Sequence, residues 1–141
     1  MTRVVLDTNV LASGFTNAAG PAGQVLVAWL HGQFDLLVSE HILTELRRTF
    51  HKPYFSHRLG QQRVANNLAL LRSAARLVPL TIVVHGVASH PEDDLVVATA
   101  LSGQADYLIT GDHHLQAVGS YQGVTILGPR AFLQLQRKGS P

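Results

Sequence analysis

Val4-Val5-Leu6-Asp7-Thr8-Asn9 is the stretch on which the fold turns: three apolar residues run straight into three polar, turn-forming ones. A short run that is apolar at every position, rather than at alternate ones, suits a strand buried on both faces of a parallel sheet. It also leaves an acid, Asp7, at the carboxyl end of that strand. Ligands of open parallel sheets collect there.

Outward from this strand, apolar runs alternate with helical patterns. A helix is predicted over 24–30 and a second strand over 34–38. Ser39 suits the N-cap of a helix over 40–50, which Lys52-Pro53-Tyr54 interrupts. A long helix over 57–77 follows, with Val64, Leu68, Leu71 and Ala75 on one face. The β-branched run at 80–84 reads as a strand, Ser89-His90-Pro91 as a turn, and 93–102 as a helix whose acidic first turn suits its dipole. A strand at 107–109, a short helix after Gly111, a strand at 124–127 and a helix opening at Pro129 complete the pattern. Such alternation predicts an α/β fold with a central, mostly parallel sheet of four or five strands flanked by helices. The expected domain is residues 1–136, with 137–141 a loose tail.

At 141 residues the chain suits one domain with a substantial core. Charged residues are only 14% and the acids number nine, so each carboxylate carries information. With no cysteine there is no disulfide scaffold, thiol nucleophile or thiolate zinc site, and a reducing, cytoplasmic setting is expected. No apolar run approaches the roughly 20 residues of a membrane span. The formal net charge is +2, but Arg47, Arg48, His51, Lys52, His57, Arg58 and Arg63 crowd one stretch, which favours a polyanionic partner.

Asp7 follows the first strand, Asp112 follows the 107–109 strand after Thr110-Gly111, and Asp93 opens the helix after 80–84. All three are therefore expected at one crevice. Glu45 joins them as a carboxylate at the border of its helix's apolar stripe, three residues from Ile42 and one from Leu46. Unpaired carboxylates near a core are costly, and a hard divalent cation removes that cost. Taken singly, each has a local alternative. Asp7 can cap a turn, Asp93 can complement a helix dipole, Asp112 can be an N-cap, and Glu45 can pair with Arg47 or Arg48. His113 and His114 do not make a zinc site, because neighbouring side chains on a helix diverge.

Residues 4–11 (Val-Val-Leu-Asp-Thr-Asn-Val-Leu), 39–46 (Ser-Glu-His-Ile-Leu-Thr-Glu-Leu), 91–100 (Pro-Glu-Asp-Asp-Leu-Val-Val-Ala-Thr-Ala) and 108–112 (Leu-Ile-Thr-Gly-Asp) together resemble the PIN-domain family. The nearest likeness is to bacterial and archaeal PIN proteins assigned as toxins of toxin–antitoxin pairs, including the VapC-like ribonucleases. The resemblance implies Mg²⁺- or Mn²⁺-dependent hydrolysis of RNA, with Asp7, Glu45, Asp93 and Asp112 as metal-binding catalytic residues. Asp93 takes precedence over Asp94 because the family sets its acid seven residues before the small residue that here is Ala100. Thr8, Asn9 and Thr110 would orient carboxylates or waters. Where relatives often carry another Asp, this chain has His114, which bears on a second metal.

Arg47, Arg48, Arg58 and Arg63 are expected to bind phosphates that flank the scissile bond, with single-stranded RNA as the substrate. The resemblance further implies an antitoxin protein that covers the crevice. Apolar helices around 25–30 and 65–71 exceed what a small core needs and predict a homodimer. Two other readings stand beside this one. A PIN scaffold without catalysis would serve as an interaction module. A metal-dependent phosphatase would need a second acid two residues after Asp7, where Asn9 stands.

Overall fold

In the computed structural model, which describes residues 1–139, Val4, Val5 and Leu6 are wholly buried. They belong to β1 (Arg3–Leu6), a central strand of a six-stranded sheet. The other strands are β2 (Asp35–Val38), β3 (Arg76–Leu77), β4 (Tyr107–Ile109), β5 (Ser120–Tyr121) and β6 (Val124–Leu127). Their order is β3-β2-β1-β4-β6-β5, parallel throughout except for the β5–β6 hairpin. The helices are α1 (Thr8–Thr16), α2 (Pro21–Leu30), α3 (Glu40–Phe50), α4 (Pro53–Ser56), α5 (Gln61–Ala74), α6 (Pro91–Ser102), α7 (His113–Val118) and α8 (Pro129–Gly139). The α/β fold with a mostly parallel sheet stands as expected, with six strands in place of four or five. Residues 137–139 of the expected tail continue α8, and 140 and 141 lie outside the described residues.

Register places the chemistry. Leu6 of β1 pairs with Ile109 of β4, and the Asp7 N–H donates to the Ile109 carbonyl at 2.9 Å. Asp7 and Thr110 therefore leave neighbouring strands at the same level. On the other side of β1, β2 ends at Val38 and α3 begins after Ser39. The carboxyl ends of three adjacent strands thus feed one edge of the sheet. Helix α6 packs on β1, β2 and β4 and carries its acidic first turn to that edge.

Helix starts follow the expected chemistry. Ser39 Oγ accepts the Ile42 N–H, and Pro21, Pro53 and Pro91 open α2, α4 and α6, where their missing N–H costs nothing. The Ser39 hydroxyl also meets Thr99 of α6 at 2.8 Å, and Thr99 Oγ1 donates to the Leu95 carbonyl. This leaves Ser39 as donor to Thr99, so one buried hydroxyl both caps α3 and ties it to α6. Ser39→Ala is expected to cost about 1–2 kcal/mol in urea denaturation, the usual loss for a cap with a buried partner. A loss under about 0.5 kcal/mol would show that the tie contributes nothing net.

Three expectations are corrected. No strand forms at 80–84, although the run is β-branched. Here the backbone is held by side chains: Thr81 and Ile82 N–H groups donate to Ser102 Oγ, and Val83 is 77% exposed. The edge strand is instead Arg76–Leu77, fixed by pairing with β2. The helix expected over 57–77 spans only 61–74, because the chain turns at Gly60 and Pro53 starts a separate one-turn helix where an interruption was expected. Residues 8–16, left without an element, form α1, whose first turn is capped by the Asp7 carboxylate through the Thr8 N–H. Polar turn-formers at 7–9 obscured a helix start. Gly23 of α2 lets that helix reach the loop before it, since a Cβ there would collide with the backbone of Asn17 and Ala18.

Candidate active site

Asp7, Thr8, Asn9, His41, Glu45, Thr49, Lys52, Glu92, Asp93 and Val96 line one cleft of about 120 Å³. Three of the four acids expected from sequence share this wall. They come from the end of β1, the middle of α3 and the first turn of α6, segments far apart in the chain. The fourth, Asp112, stands beside the cleft. It caps α7 through the His114 N–H at 2.8 Å, and its charge acts on both Asp7 and Asp93.

Asp7 is the most buried of the set, 7% exposed. Its Oδ1 accepts the Thr8 N–H at 2.7 Å and its Oδ2 accepts the Thr110 hydroxyl at 2.7 Å. Thr110 is wholly buried and its oxygen in turn accepts the Asp112 N–H at 3.0 Å. One hydroxyl therefore joins the acid after β1 to the acid after β4. Burial raises the Asp7 pKa above the ordinary aspartate value. The bonds from Thr110 and Thr8 oppose that rise, and the charges of Asp93 and Asp112 add to it. Asp93 is also raised, first by burial and then by Asp112, with His90 opposing. Both groups resist ionisation for the same reasons.

Asp94, adjacent to Asp93, has a different task. It is buried, and its carboxylate accepts the N–H groups of Gly86, Val87 and Ala88 at 3.1, 3.1 and 2.7 Å. It shapes the loop before α6, while Asp93 faces the cleft. Asp106 is likewise structural, accepting the Arg3 N–H at 2.8 Å. Glu45 lines the cleft but also pairs with Arg48 at 2.7 Å, one of its two expected local partners. His114 Nε2 lies 3.2 Å from the Val87 carbonyl, and no zinc-like grouping surrounds it among the described residues.

The expected arginines do not share the cleft wall. Arg47 lines a separate apolar groove with Phe50, Leu59, Val64 and Leu68; Arg48 is bound to Glu45; Arg58 lies over Tyr54; and Arg63 is exposed. The cation that does line the cleft is Lys52, which sequence reading counted only as part of a basic cluster. His41 and Thr49 were also missed as cleft residues, while Glu92, expected only as a near neighbour of the acids, lines the cleft itself. Helical spacing could have found both, because His41 and Thr49 lie four residues either side of Glu45 and so on its face.

Whether this set suits a divalent cation can be judged from its donors. They are carboxylate oxygens, the hard ligands that Mg²⁺ and Mn²⁺ favour. Burial and the charges of neighbouring acids hold Asp7 and Asp93 in a state that a cation would relieve. Among the described residues no three acidic or histidine side chains are already gathered around one point. Mg²⁺ ordinarily takes one or two carboxylates and keeps its waters, so the donors fit it without a closed cage.

Among the solved structures that resemble the fold are two of Vap proteins. One is the crystal structure of VapBC2 from Rickettsia felis bound to a DNA fragment from their promoter, with a TM-score of 0.62, 14% identity, and 89% of this chain and 97% of that chain covered. The other is Mycobacterium tuberculosis VapC20, described as a Sarcin-Ricin loop cleaving toxin, with a TM-score of 0.58, 17% identity, and 84% and 97% covered. No curated protein matches the sequence. The PIN domain model, however, matches residues 3–114, well over half of the chain and spanning Asp7, Glu45, Asp93 and Asp112; the chain belongs to the PIN domain family.

Proposed function

We propose that this chain is a Mg²⁺- or Mn²⁺-dependent endoribonuclease that hydrolyses phosphodiester bonds of single-stranded RNA, and that it is the toxin of a toxin–antitoxin pair. The observation that carries the reading is the meeting of Asp7 and Asp93, from separate elements, in one cleft with their proton affinities raised by burial and by neighbouring acids. Membership of the PIN family and the likeness in fold to an RNA-cleaving toxin support it.

In this reading Asp7, Glu45, Asp93 and Asp112 would hold the cation, one or two of them directly and the others through the waters it keeps. When bound, it supplies a nucleophile at neutral pH and neutralises charge on the phosphate. Thr110 orients Asp7 and fixes the backbone at Asp112, so the two acids keep their relative placement. Thr8 occupies Asp7 Oδ1 from the other side, and Asn9 lines the cleft next to it. The chain offers no need for a covalent nucleophile. Arg47 and Arg63 bind flanking phosphates outside the cleft; Arg48 does so only on leaving Glu45, and Arg58 only with what its contacts to Tyr54 leave free. An antitoxin covers the cleft, and the toxin acts in the cytoplasm. No helix among the described residues is long and apolar enough to cross a membrane.

A homodimer belongs to the same proposal, through the open face of α5 rather than α2. Most apolar residues of α2 serve the chain's own core, with Val25, Leu26, Ala28 and Trp29 buried and Val27 and Leu30 exposed. The ion pair that holds Glu45 to Arg48 favours a second reading, a non-catalytic PIN module.

Cleavage of a mixed RNA pool in Mg²⁺, Mn²⁺ or EDTA separates the two. The wild type is expected to cut only with a divalent ion, and Asp93→Asn is expected to lose about a hundredfold or more while its thermal midpoint in EDTA holds or rises. Cutting that ignores EDTA, or that survives in Asp93→Asn, overturns the assignment of the site. An intact wild type that cuts nothing leaves the module.

A further inference from the structure

The turn between α3 and α4 brings Lys52, one of two lysines in the chain, to the wall of the acid cleft. Four carboxylates share that wall, yet among the described residues the ion pairs are Arg48–Glu45, Arg72–Glu40 and Arg76–Asp35, and Lys52 is in none. Its backbone is firmly held. The Lys52 N–H donates to the Thr49 carbonyl at 3.0 Å, its own carbonyl accepts the Phe55 and Ser56 N–H groups at 3.0 and 2.9 Å, and Pro53 fixes the next residue. Only the flexible stem is free, so the ammonium is a tethered, unpaired donor at the mouth of an acidic site. Among the described residues it is the one lysine or arginine side chain on this cleft wall, where it can offer a donor to a phosphate that enters.

Two residues further on, Tyr54 is 59% exposed. Core packing does not account for it, since the neighbouring Phe55 supplies the inward ring, edge-on to Phe50 at 6.4 Å between centroids. Tyr54 is nonetheless braced. The Arg58 guanidinium sits 3.8 Å from its ring centroid and Nη1 donates to the Tyr54 carbonyl at 2.7 Å, while Phe55 meets it edge-on at 4.9 Å. A solvent-facing aromatic with a fixed plane and an arginine beside it is a stacking platform for a nucleobase. Stacking needs an unpaired base, because bases in a duplex already stack on one another.

Resting on the nuclease reading, we propose that residues 52–58 grip the substrate strand: Lys52 contacts a backbone phosphate at the cleft mouth, and the Tyr54 ring, backed by Arg58, stacks a neighbouring base of single-stranded RNA. Lys52 and Tyr54 stand two residues apart on one turn, so a strand that reaches the cleft by way of Lys52 passes close to the chain at Tyr54. Phosphate contact sets affinity and register, and stacking on a π-face admits any base. The grip therefore selects unpaired strands and leaves base sequence unread.

The test uses the full chain and a fluorescein-labelled, mixed-sequence single-stranded RNA in EDTA, where binding is read by anisotropy across a salt series. Its duplex form serves as comparison. Tyr54→Ala is expected to weaken single-strand binding about tenfold or more and leave duplex binding nearly unchanged, with Tyr54→Phe restoring it. Lys52→Ala is expected to lower the slope of log affinity against log salt by about 0.7, with Lys52→Arg restoring it. Thermal midpoints should hold for all four, as both side chains are exposed. With divalent ion present, Lys52→Ala and Tyr54→Ala should raise KM more than they lower kcat. An unchanged affinity for Tyr54→Ala, an equal loss on duplex, or an unchanged slope for Lys52→Ala overturns the grip. If the grip variants weaken RNA binding but the wild type never cuts, the grip stands and the nuclease reading falls.

Discussion

Asp7→Asn is expected to abolish RNA cleavage, by about a hundredfold or more, while leaving the metal-free protein at least as stable as the wild type at neutral pH. The first half follows from the position. Losing a residue that merely supports a metal ligand costs roughly 10–100-fold, so losing a ligand itself should cost no less than the upper end. The second half follows from the direction of the pKa shift. Burial holds the Asp7 carboxyl above its ordinary value, against the pull of Thr110 and Thr8, so the unfolded chain releases this proton more readily than the folded one. Below the ordinary aspartate pKa the two states carry the proton alike and the group costs nothing. As pH rises from there through the raised folded value, stability is lost, and the loss is complete above it. Asp93 is shifted in the same direction and contributes the same sign.

Asparagine keeps an oxygen for the Thr8 N–H and removes the charge. Thermal midpoints of both proteins in EDTA, measured from acid to neutral pH, should converge at the acid end and separate in favour of Asp7→Asn toward neutrality. Added Mg²⁺ or Mn²⁺ should raise the midpoint of the wild type and not that of the variant, because a ligand stabilises only the state that binds it. A clear fall in the midpoint of Asp7→Asn at neutral pH in EDTA would mean that the carboxylate is a net structural brace, and the tension between stability and function assigned to this site would be wrong.

What sequence revealed, and what it hid, divides along a physical line. Elements that bury a continuous apolar face were legible, among them β1, the Ser39 cap of α3 and the acidic start of α6. So was the order of the acids, because a parallel sheet sends residues after its strands to one edge whatever the loops do. The segment at 80–84 was misread because β-branched residues favour strands only where a neighbour offers a ladder. Here Ser102 Oγ takes the N–H groups of Thr81 and Ile82 instead. The choice between Asp93 and Asp94 could not be read from helix spacing, since both sit in the first turn. It is the three N–H groups of residues 86–88 that engage Asp94 and leave Asp93 to the cleft. Lys52 was hidden in a basic cluster, and only the turn after α3 separates it from arginines that face elsewhere.

Thr110 carries more weight than its polar, ordinary place after a strand would predict. Thr110→Val, which conserves shape and removes the hydroxyl, is expected to lower cleavage about 10–100-fold. Two contacts vanish at once: the donor to Asp7 Oδ2 at 2.7 Å and the acceptor for the Asp112 N–H at 3.0 Å. The Thr110 bond is the largest influence that pulls the Asp7 pKa down against burial. Without it that pKa climbs further, and a larger share of Asp7 is protonated at any given pH. Since the working form is the carboxylate, the acid limb of the pH–rate profile should move to higher pH in Thr110→Val, and part of the lost activity should return as pH is raised. Thr110→Ser, which retains the hydroxyl, should restore both the rate and the position of the limb. A structural defect would lower the whole profile without moving it. An unshifted limb, or a valine variant as active as the wild type, would therefore remove Thr110 from the site and leave Asp7 oriented by Thr8 alone.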